Sequence, residues 1–409
     1  MKIKILIFLF LIGSFFFLRL YKIGERVNFS MDQGIFLSRS WEIYKNKEIT
    51  LIGPTASPVV HGRHFFQGPG IYYSLVFLMM LSNWNVVAAS YFLVFFNFLS
   101  VAVLYLVGEK MFNKKVGLIA TSIYIFLPIT IHFSNFIWNP NILLTLVPFF
   151  IFLGVKSFEN KKWWNYLIWG ILGGICFQFH FQFFLILLFT LIFLIFKKQN
   201  WKNIILYISG IILGYSPLLI FDLRNNFYNI KTILEWLRYG NDGKFGFEDY
   251  YILSFVPFFC LGLAWVLNKL KNKIILILLM IFLIVYSGFY FVKINQKGAL
   301  GMAKDWSYPL EKQTVKEILK DGCPKNFEVA SMINGDTVAY PLRYLLEVEG
   351  CNPMGVDEYS KAEKLFIVTP NNRSLEKETV WEVVNIGKFN IDKKILLNDK
   401  ISLYEFKIK

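Results

Sequence analysis

Long apolar runs recur along the chain from the N-terminus to about residue 292, each broken by a short polar stretch, and none follows that point. Runs of this length are what a helix needs to cross a bilayer. The first, Lys2 to Leu20, starts with lysines and continues to Arg19 without a small-residue cleavage site, so it reads as a retained signal-anchor helix. Basic clusters at Lys110/Lys114/Lys115, Lys156/Lys161/Lys162, Lys197/Lys198/Lys202 and Lys269/Lys271/Lys273 sit between later runs. The positive-inside bias places these four loops in the cytoplasm. Crossings then fall at 86–107, 116–132, 140–156, 165–180, 182–196, 204–221, 251–268 and 274–292, which with the first helix makes about nine. The stretch 70–82 is too short for a span and reads as a re-entrant or interfacial helix.

An odd number of crossings puts the remaining residues outside. The expected fold is a polytopic α-helical membrane protein with a C-terminal extracytoplasmic α/β domain. Residues 1–292 form the transmembrane domain, with a large outer loop at 21–69, and 293–409 the soluble domain. In the tail the pattern predicts a strand over Phe327–Ile333, a helix over Thr337–Val348, a strand over Lys364–Thr369, and β-rich segments near 379–386 and 395–408.

Composition agrees with this division. The 409 residues are 56% hydrophobic, 19% aromatic and only 17% charged, which excludes an ordinary soluble enzyme and a disordered chain. The net charge of +15 is uneven: residues 293–409 hold 18 Lys+Arg against 17 Asp+Glu, leaving 25 against 11 for the rest. The excess belongs to the membrane part, where it fits inner loops and anionic lipid, and no aromatic-plus-basic module points to nucleic acid. Cys176 and Cys260 lie in apolar spans as inert packing residues. Cys323 and Cys351 flank the first strand and the helix of the tail, and a disulfide between them is one reading of that pair.

The same arrangement sends the polar chemistry to the outer face. His61, His64, His132 and His180 fall there, with Asp32, Arg63, Gln67, Asp222 and Arg224, whereas the inner loops are plain lysine connectors. The outer loop opens with Asn28-Phe-Ser-Met-Asp-Gln-Gly34 and continues with His61-Gly-Arg-His-Phe-Phe-Gln-Gly-Pro-Gly70, followed by Ile71-Tyr72-Tyr73. Further on come Trp138-Asn-Pro-Asn141 and Pro217-Leu-Leu-Ile-Phe-Asp-Leu-Arg-Asn-Asn226. In this order over residues 1 to 230 the chain resembles the membrane glycosyltransferases of GT-C fold, specifically the protein O-mannosyltransferase and lipid A aminoarabinose transferase group. The resemblance implies a polyprenyl-phosphate-linked sugar as donor, a lipid, protein or glycan as acceptor, and a site on the outer face of the cell membrane. It gives Asp32 the part of the catalytic, acceptor-activating carboxylate. Gln67 stands where some members carry a glutamate and Gln33 where many have a second acid, so neither can serve as base or as anionic metal ligand.

Sugar transfer from a lipid phosphate needs a base on the acceptor and cations near the departing phosphate. Arg63 and Arg224 are the candidates for the second role, as bidentate donors. His64, Gln67, Tyr72, Asn139 and Asn141 are candidate substrate contacts. His61 and His64 with Asp32 would be the set for a divalent metal cofactor, although no recognised ligand spacing is present. Plainer readings stand beside these. Asp32 can cap a helix over Gln33–Tyr44, the two arginines can anchor to lipid headgroups, Asp222 can pair with Arg224, and aromatic residues at span ends are expected of any membrane protein. A transporter or lipid flippase is the alternative function. It would place ionisable residues deep in the spans and relate two halves by repeat, and the sequence shows neither pattern.

Overall fold

A computed structural model describes residues 2–160, 162–242, 246, 248–297, 302–333, 335–373, 380–385 and 389–408. Lys161 of the second basic cluster and both ends of the predicted segment 379–386 lie outside the described residues. In chain order the elements are α1 (Lys2–Leu20), α2 (Ile23–Arg26), α3 (Met31–Asn46), β1 (Thr55–Val60), β2 (Arg63–Phe66), α4 (Gly70–Leu81), α5 (Val86–Met111), α6 (Lys114–Phe126), α7 (Pro128–Phe133), α8 (Asn139–Asn160), α9 (Trp163–Phe179), α10 (Phe183–Phe196), α11 (Trp201–Gly214), α12 (Ser216–Arg224), α13 (Tyr228–Tyr239), α14 (Val256–Asn268) and α15 (Lys273–Lys297). The tail adds α16 (Tyr308–Ile318), β3 (Phe327–Ser331), α17 (Tyr340–Val348), β4 (Lys364–Pro370), α18 (Trp381–Val384), β5 (Phe389–Leu396) and β6 (Ile401–Ile408).

The expected crossings overlap helical segments, and two of them, 116–132 and 204–221, each run across a break between two helices. Among the described residues four helices are long and apolar enough to cross a membrane by themselves, at Val86–Met111, Asn139–Asn160, Asp249–Asn268 and Lys273–Lys293. The pair α11 and α12 makes a fifth if taken as one span bent by 67°. Pro217 in the first turn of α12 explains the break, since proline has no N–H and its ring clashes with the carbonyl four residues back. Loop 21–69 is more ordered than its polarity suggests: it holds α2, α3 and a two-stranded hairpin.

By internal contacts the chain divides into two units, one of residues 1–21, 48–78 and 90–291, the other of residues 22–47, 79–89 and 292–409. In the first unit α9 and α11 pack backbone to backbone. A Cβ added to Gly170 would lie 2.0 Å from the Tyr207 carbonyl oxygen, and one on Gly214 would lie 2.2 Å from that of Ile171. Gly170-x-x-x-Gly174 thus faces Gly210-x-x-x-Gly214, the small-residue pattern by which membrane helices approach closely. Pro148 within α8 cannot donate to the Leu144 carbonyl, and the Tyr124 hydroxyl donates there instead at 3.2 Å. Helix α6 stops before Pro128 and leaves its last carbonyls without helical partners. Thr130 Oγ1 donates to Leu127 at 2.8 Å and to Tyr124, Ser287 Oγ to Phe126, and the fully buried Arg19 guanidinium to Ile125 at 3.3 Å.

In the second unit, β3 pairs parallel with β4, which pairs antiparallel with β6 and β6 with β5, giving sheet order β3-β4-β6-β5. The connection between parallel strands β3 and β4 carries α17, as a parallel pair requires a crossover. Ala330, Leu365, Ile367 and Phe406 fill its core. The predicted β-rich segment near 379–386 is instead the short helix α18 over Trp381–Val384, its turn closed by the Val380 carbonyl accepting from Val383 and Val384. Burial of Glu382 and Val383 overrides the β-branched composition there. Segment 395–408 divides into the end of β5 and all of β6. Helix α3 packs on α17 so tightly that a Cβ on Gly34 would sit 2.5 Å from the Pro341 nitrogen. Cys323 and Cys351 form a disulfide across 28 residues.

Candidate active site

In the first unit the Arg63–Gln67 segment is held by α13, an element the sequence reading left as loop. His61 and Gly62, with φ of 49° and 68°, make the mirror-image turn that matches strand twist and joins β1 to β2. The Asn229 amide reads the Phe66 backbone both ways, accepting from its N–H at 2.6 Å and donating to its carbonyl at 3.1 Å. Tyr228 Oη donates to the His64 carbonyl at 3.1 Å, and Glu235 pairs with the Arg63 guanidinium. Asp242 Oδ2 accepts from the Gly62 N–H at 2.8 Å, and this bond with a second from His61 lowers the Asp242 pKa.

Arg63 is therefore committed to an ion pair, whereas Arg224 at the end of α12 is exposed and has no hydrogen bond or ion pair among the described residues. The expected Asp222–Arg224 pair does not form. Asp222 Oδ1 accepts from the Asn229 N–H at 2.6 Å, so it caps the start of α13 and positions the amide that holds β2.

Gln67 and Asn139 meet directly. Asn139 Nδ2 donates to Gln67 Oε1 at 2.5 Å and to the Phe179 carbonyl at 3.1 Å. Gly68 N donates to the Gln178 carbonyl at 3.1 Å, and Gln178 Nε2 to the Gly214 carbonyl at 2.6 Å. These buried amides tie the 67–70 segment to the ends of α8, α9 and α11, and the close α9–α11 approach is what brings Gln178 to Gly214. Asn141 is buried, with Nδ2 on the Phe136 carbonyl at 3.0 Å, and Tyr72 is buried too. Gln67, Asn139, Asn141 and Tyr72, expected as substrate contacts, are thus enclosed, Asn139 and Asn141 with their amide donors and Gln67 with its amide oxygen engaged inside the protein. Tyr73 bonds the Thr50 backbone through its hydroxyl.

Beside Asn139 lies an aromatic cluster that the sequence reading missed. The ring of Tyr250 packs edge-on against Trp138 with centroids 4.6 Å apart, and Tyr250 and Tyr251 both border His180. Gln182 Nε2 holds the Tyr250 carbonyl at 3.2 Å. Adjacent tyrosines before a span gave no signal beyond an interface belt.

The expected metal set is not assembled. The His61 ring packs against Tyr239, His64 Nδ1 faces the Ala56 carbonyl at 3.3 Å, and among the described residues no three His, Cys, Asp or Glu side chains are grouped to hold a metal ion. A metal needs several ligands turned to one point, and these two side chains are spent separately.

Asp32 falls in the second unit, half-buried in the first turn of α3. It is not the cap. Ser30 takes that position in a reciprocal capping box with Gln33, whose Oε1 accepts from the Ser30 N–H at 3.1 Å. The capping role proposed for the acid thus belongs to its neighbours, and the first-turn position places Asp32 at the positive end of the helix dipole.

Residues 67–221 match the family described as dolichyl-phosphate-mannose-protein mannosyltransferase. Among solved structures the chain is similar to ArnT from Cupriavidus metallidurans bound to undecaprenyl phosphate, with a TM-score of 0.63, 10% identity and coverage of 99% of this chain and 98% of that one. The apo form of the same ArnT gives a TM-score of 0.60 at the same identity and coverage. No curated protein matches the sequence. At 10% identity the likeness is one of fold: this is a membrane protein with the GT-C architecture of ArnT, including a sheet-containing C-terminal region.

Proposed function

We propose that the chain is an integral membrane glycosyltransferase that takes a sugar from a polyprenyl-phosphate carrier and transfers it to an acceptor on the outer face of the cytoplasmic membrane. The observation that carries this reading is the end-to-end likeness to a protein solved with undecaprenyl phosphate, together with a mannosyltransferase-family match over 67–221. The structures named are of ArnT rather than of a transporter or flippase. The Cys323–Cys351 disulfide supports an extracytoplasmic tail, since such bonds persist in oxidising compartments.

In this reading Asp32 takes the proton of the acceptor hydroxyl or amine as its heteroatom attacks the anomeric carbon. The bond to the carrier phosphate breaks, the phosphate departs with the electron pair, and a single displacement inverts the centre. Arg224, exposed and without a hydrogen bond or ion pair among the described residues, is the more available of the two arginines for that phosphate, and Arg63 would have to leave Glu235 to join it. The enclosed Gln67–Asn139 pair acts as a positioning element for the 67–70 segment rather than as a direct contact.

Asp32→Asn is the decisive variant. It keeps the size of the side chain and leaves the Ser30–Gln33 box intact, but it cannot accept a proton. Turnover of a polyprenyl-phosphate sugar by purified, monodisperse protein should fall about 10²–10⁴-fold. Near-normal transfer by the Asn variant would remove Asp32 as the base and turn attention to Glu25, Glu42 and Glu48 in the same outer segment.

A further inference from the structure

In the first unit a cavity of about 750 Å³ runs between α8 and α10, bordered also by the end of α5, by α9 and by the start of α14. Phe150, Gly154 and Phe158 form its α8 wall, and Ile186, Thr190 and Phe193 its α10 wall. Spacings of three and four residues put each set on one helix face, so the cavity follows the helix axes. From Phe150 to Glu159 and from Ile186 to Lys197 the walls extend about 14 and 17 Å at 1.5 Å per residue. That is close to the depth of one leaflet, half of a hydrocarbon core of about 30 Å. The Phe158 and Phe193 rings meet edge-on across the gap, their centroids 5.6 Å apart. Thr190 Oγ1 is turned to its own helix, donating to the Ile186 carbonyl at 2.7 Å, which leaves the interior aromatic and apolar.

The charged residues that line this cavity gather at one end. Lys110 lies in the last turn of α5, Glu159 in the last turn of α8, and Lys197 directly after α10. Glu159 pairs with Lys110 at 2.9 Å. Lys197 is exposed and has no ion pair or side-chain hydrogen bond among the described residues, and its ammonium stands 5.6 Å from the centroid of the Phe193 ring. One positive charge is thus left unanswered at the mouth of an apolar channel. From Asn139 to Glu159 helix α8 rises about 30 Å, and it is long and apolar enough to cross a membrane by itself. The charged end and the Gln67–Asn139 pair therefore lie at opposite faces of the bilayer.

We propose that this cavity binds one anionic phospholipid from the leaflet on the lysine side, with an acyl chain lying between α8 and α10 and the phosphate meeting Lys197. A membrane lipid combines a chain about one leaflet long with a charged head at the interface, and those are the two dimensions the cavity offers. The net positive mouth selects the sign of the head. With Glu159 spent on Lys110, the ammonium of a zwitterionic lipid would meet lysines, whereas a lipid of net negative charge meets only its complement. A polyprenyl-phosphate carrier fits less well, because its chain is far longer than one leaflet and its phosphate belongs at the opposite face, with Asn139 and Arg224. The lysine clusters are the ones expected in the cytoplasm, where the leaflet is rich in anionic lipid. A bound chain would give the aromatic walls the contacts that an empty channel denies them, and so would tie α8 to α10. The site stands whether or not the protein transfers sugar.

The test uses purified full-length protein, delipidated in a neutral detergent and titrated with dioleoyl phosphatidylglycerol or dioleoyl phosphatidylcholine. Native mass spectrometry should show one phosphatidylglycerol retained per chain at detergent concentrations that strip phosphatidylcholine. The melting temperature should rise saturably with the first lipid, since a ligand for the folded state stabilises it by mass action. Lys197→Ala should weaken retention of phosphatidylglycerol roughly tenfold, the loss of one charge-assisted contact. Thr190→Trp should block the channel and abolish retention, whereas Lys202→Ala, which removes an exposed lysine of the same cluster that does not line the cavity, should bind as the wild type does. Should the Trp variant not fold, the two lysine variants decide the matter. The proposal is overturned if both lipids are retained equally, if Lys197→Ala binds phosphatidylglycerol as tightly as the wild type, or if equimolar undecaprenyl phosphate displaces phosphatidylglycerol, which would give the cavity to the carrier chain. These readouts stand apart from sugar transfer, so inactive protein that still selects the anionic lipid would sink the enzymatic reading and spare this one.

Discussion

Each unit buries charge, and each does so differently. In the membrane unit Arg19 is fully buried with no carboxylate beside it, yet its guanidinium has acceptors in the Ile125 carbonyl and in Thr130 Oγ1 at 3.3 Å, and its face lies 4.2 Å over the Phe15 ring. Ile125 belongs to the last turn of α6, where the helix dipole is negative and the carbonyls lack helical partners. In the tail, residues 302–408, four buried acids stand against one buried guanidinium, that of Arg343, and each of Glu311, Glu328, Asp336 and Glu382 has one oxygen without a hydrogen-bond partner. A helix C-terminus can serve as the counter-ion for a buried cation. A sheet edge and a short turn offer no equivalent for several anions, so burial drives the pKa of Glu311, Glu328 and Asp336 up and favours their protonated forms.

The sharpest way to break this comparison is to remove Arg19. Arg19→Met keeps the apolar stem but leaves the Ile125 carbonyl and Thr130 without their donor. Stability in detergent should fall by about 2–4 kcal/mol, the cost of losing charge-assisted bonds to buried acceptors. A melting temperature equal to or above that of the wild type would mean that desolvating the guanidinium already cancels its bonds, and that the helix end is not a sufficient counter-ion.

Arg224 extends the contrast to an exposed cation, and its expected effect is on function rather than folding. Because Arg224 has no partner among the described residues, Arg224→Ala should leave the melting temperature in place while lowering use of the lipid-linked donor roughly tenfold to a hundredfold, the loss of one charge-assisted phosphate contact. Arg63→Ala should do less to donor use and more to the hairpin, because it breaks the pair with Glu235. Unchanged donor kinetics in Arg224→Ala would make that arginine a headgroup anchor.

The apolar runs made the helices of the membrane unit legible, because length and lysine placement alone locate them, and the short helix at 70–81 was visible for the same reason. The short apolar runs Phe327–Ile333 and Lys364–Thr369 likewise marked the parallel strands β3 and β4. What stayed hidden depends on pairing across long sequence separations. Nothing near Gln67 in the sequence announces that Asn139 will donate to it, or that Asn229 will hold Phe66. The glycines at 170, 174, 210 and 214 carried a visible spacing that went unread, because its meaning needs both helices at once. Helix α3 looked like part of a membrane-side loop, and only the close approach of Gly34 to Pro341 shows why it groups with the tail.

The smallest expected effect lies in the tail and concerns Glu328. Burial pushes its pKa up to about 7 from a model-compound value of 4.5, and the opposing pull of Arg343 and of the Val329 N–H only partly offsets this, while Glu382 adds to the rise. Tyr359, packed beside Arg343, stays neutral well above this range, its own pKa pushed up to about 12. A carboxyl whose folded pKa exceeds its unfolded one binds more protons in the folded state, so stability is fully present below about pH 4.5 and falls as pH rises toward 7. The melting temperature should therefore decline between these two values, on top of any contribution from the other buried acids. Glu328→Gln keeps a hydrogen-bonding side chain for Arg343 but has nothing to titrate, so its decline over the same interval should be shallower. An equally steep decline in the Gln variant would mean that Glu328 stays ionised beside Arg343 throughout, and that one guanidinium answers a buried acid in the tail as fully as a helix end answers Arg19 in the membrane unit.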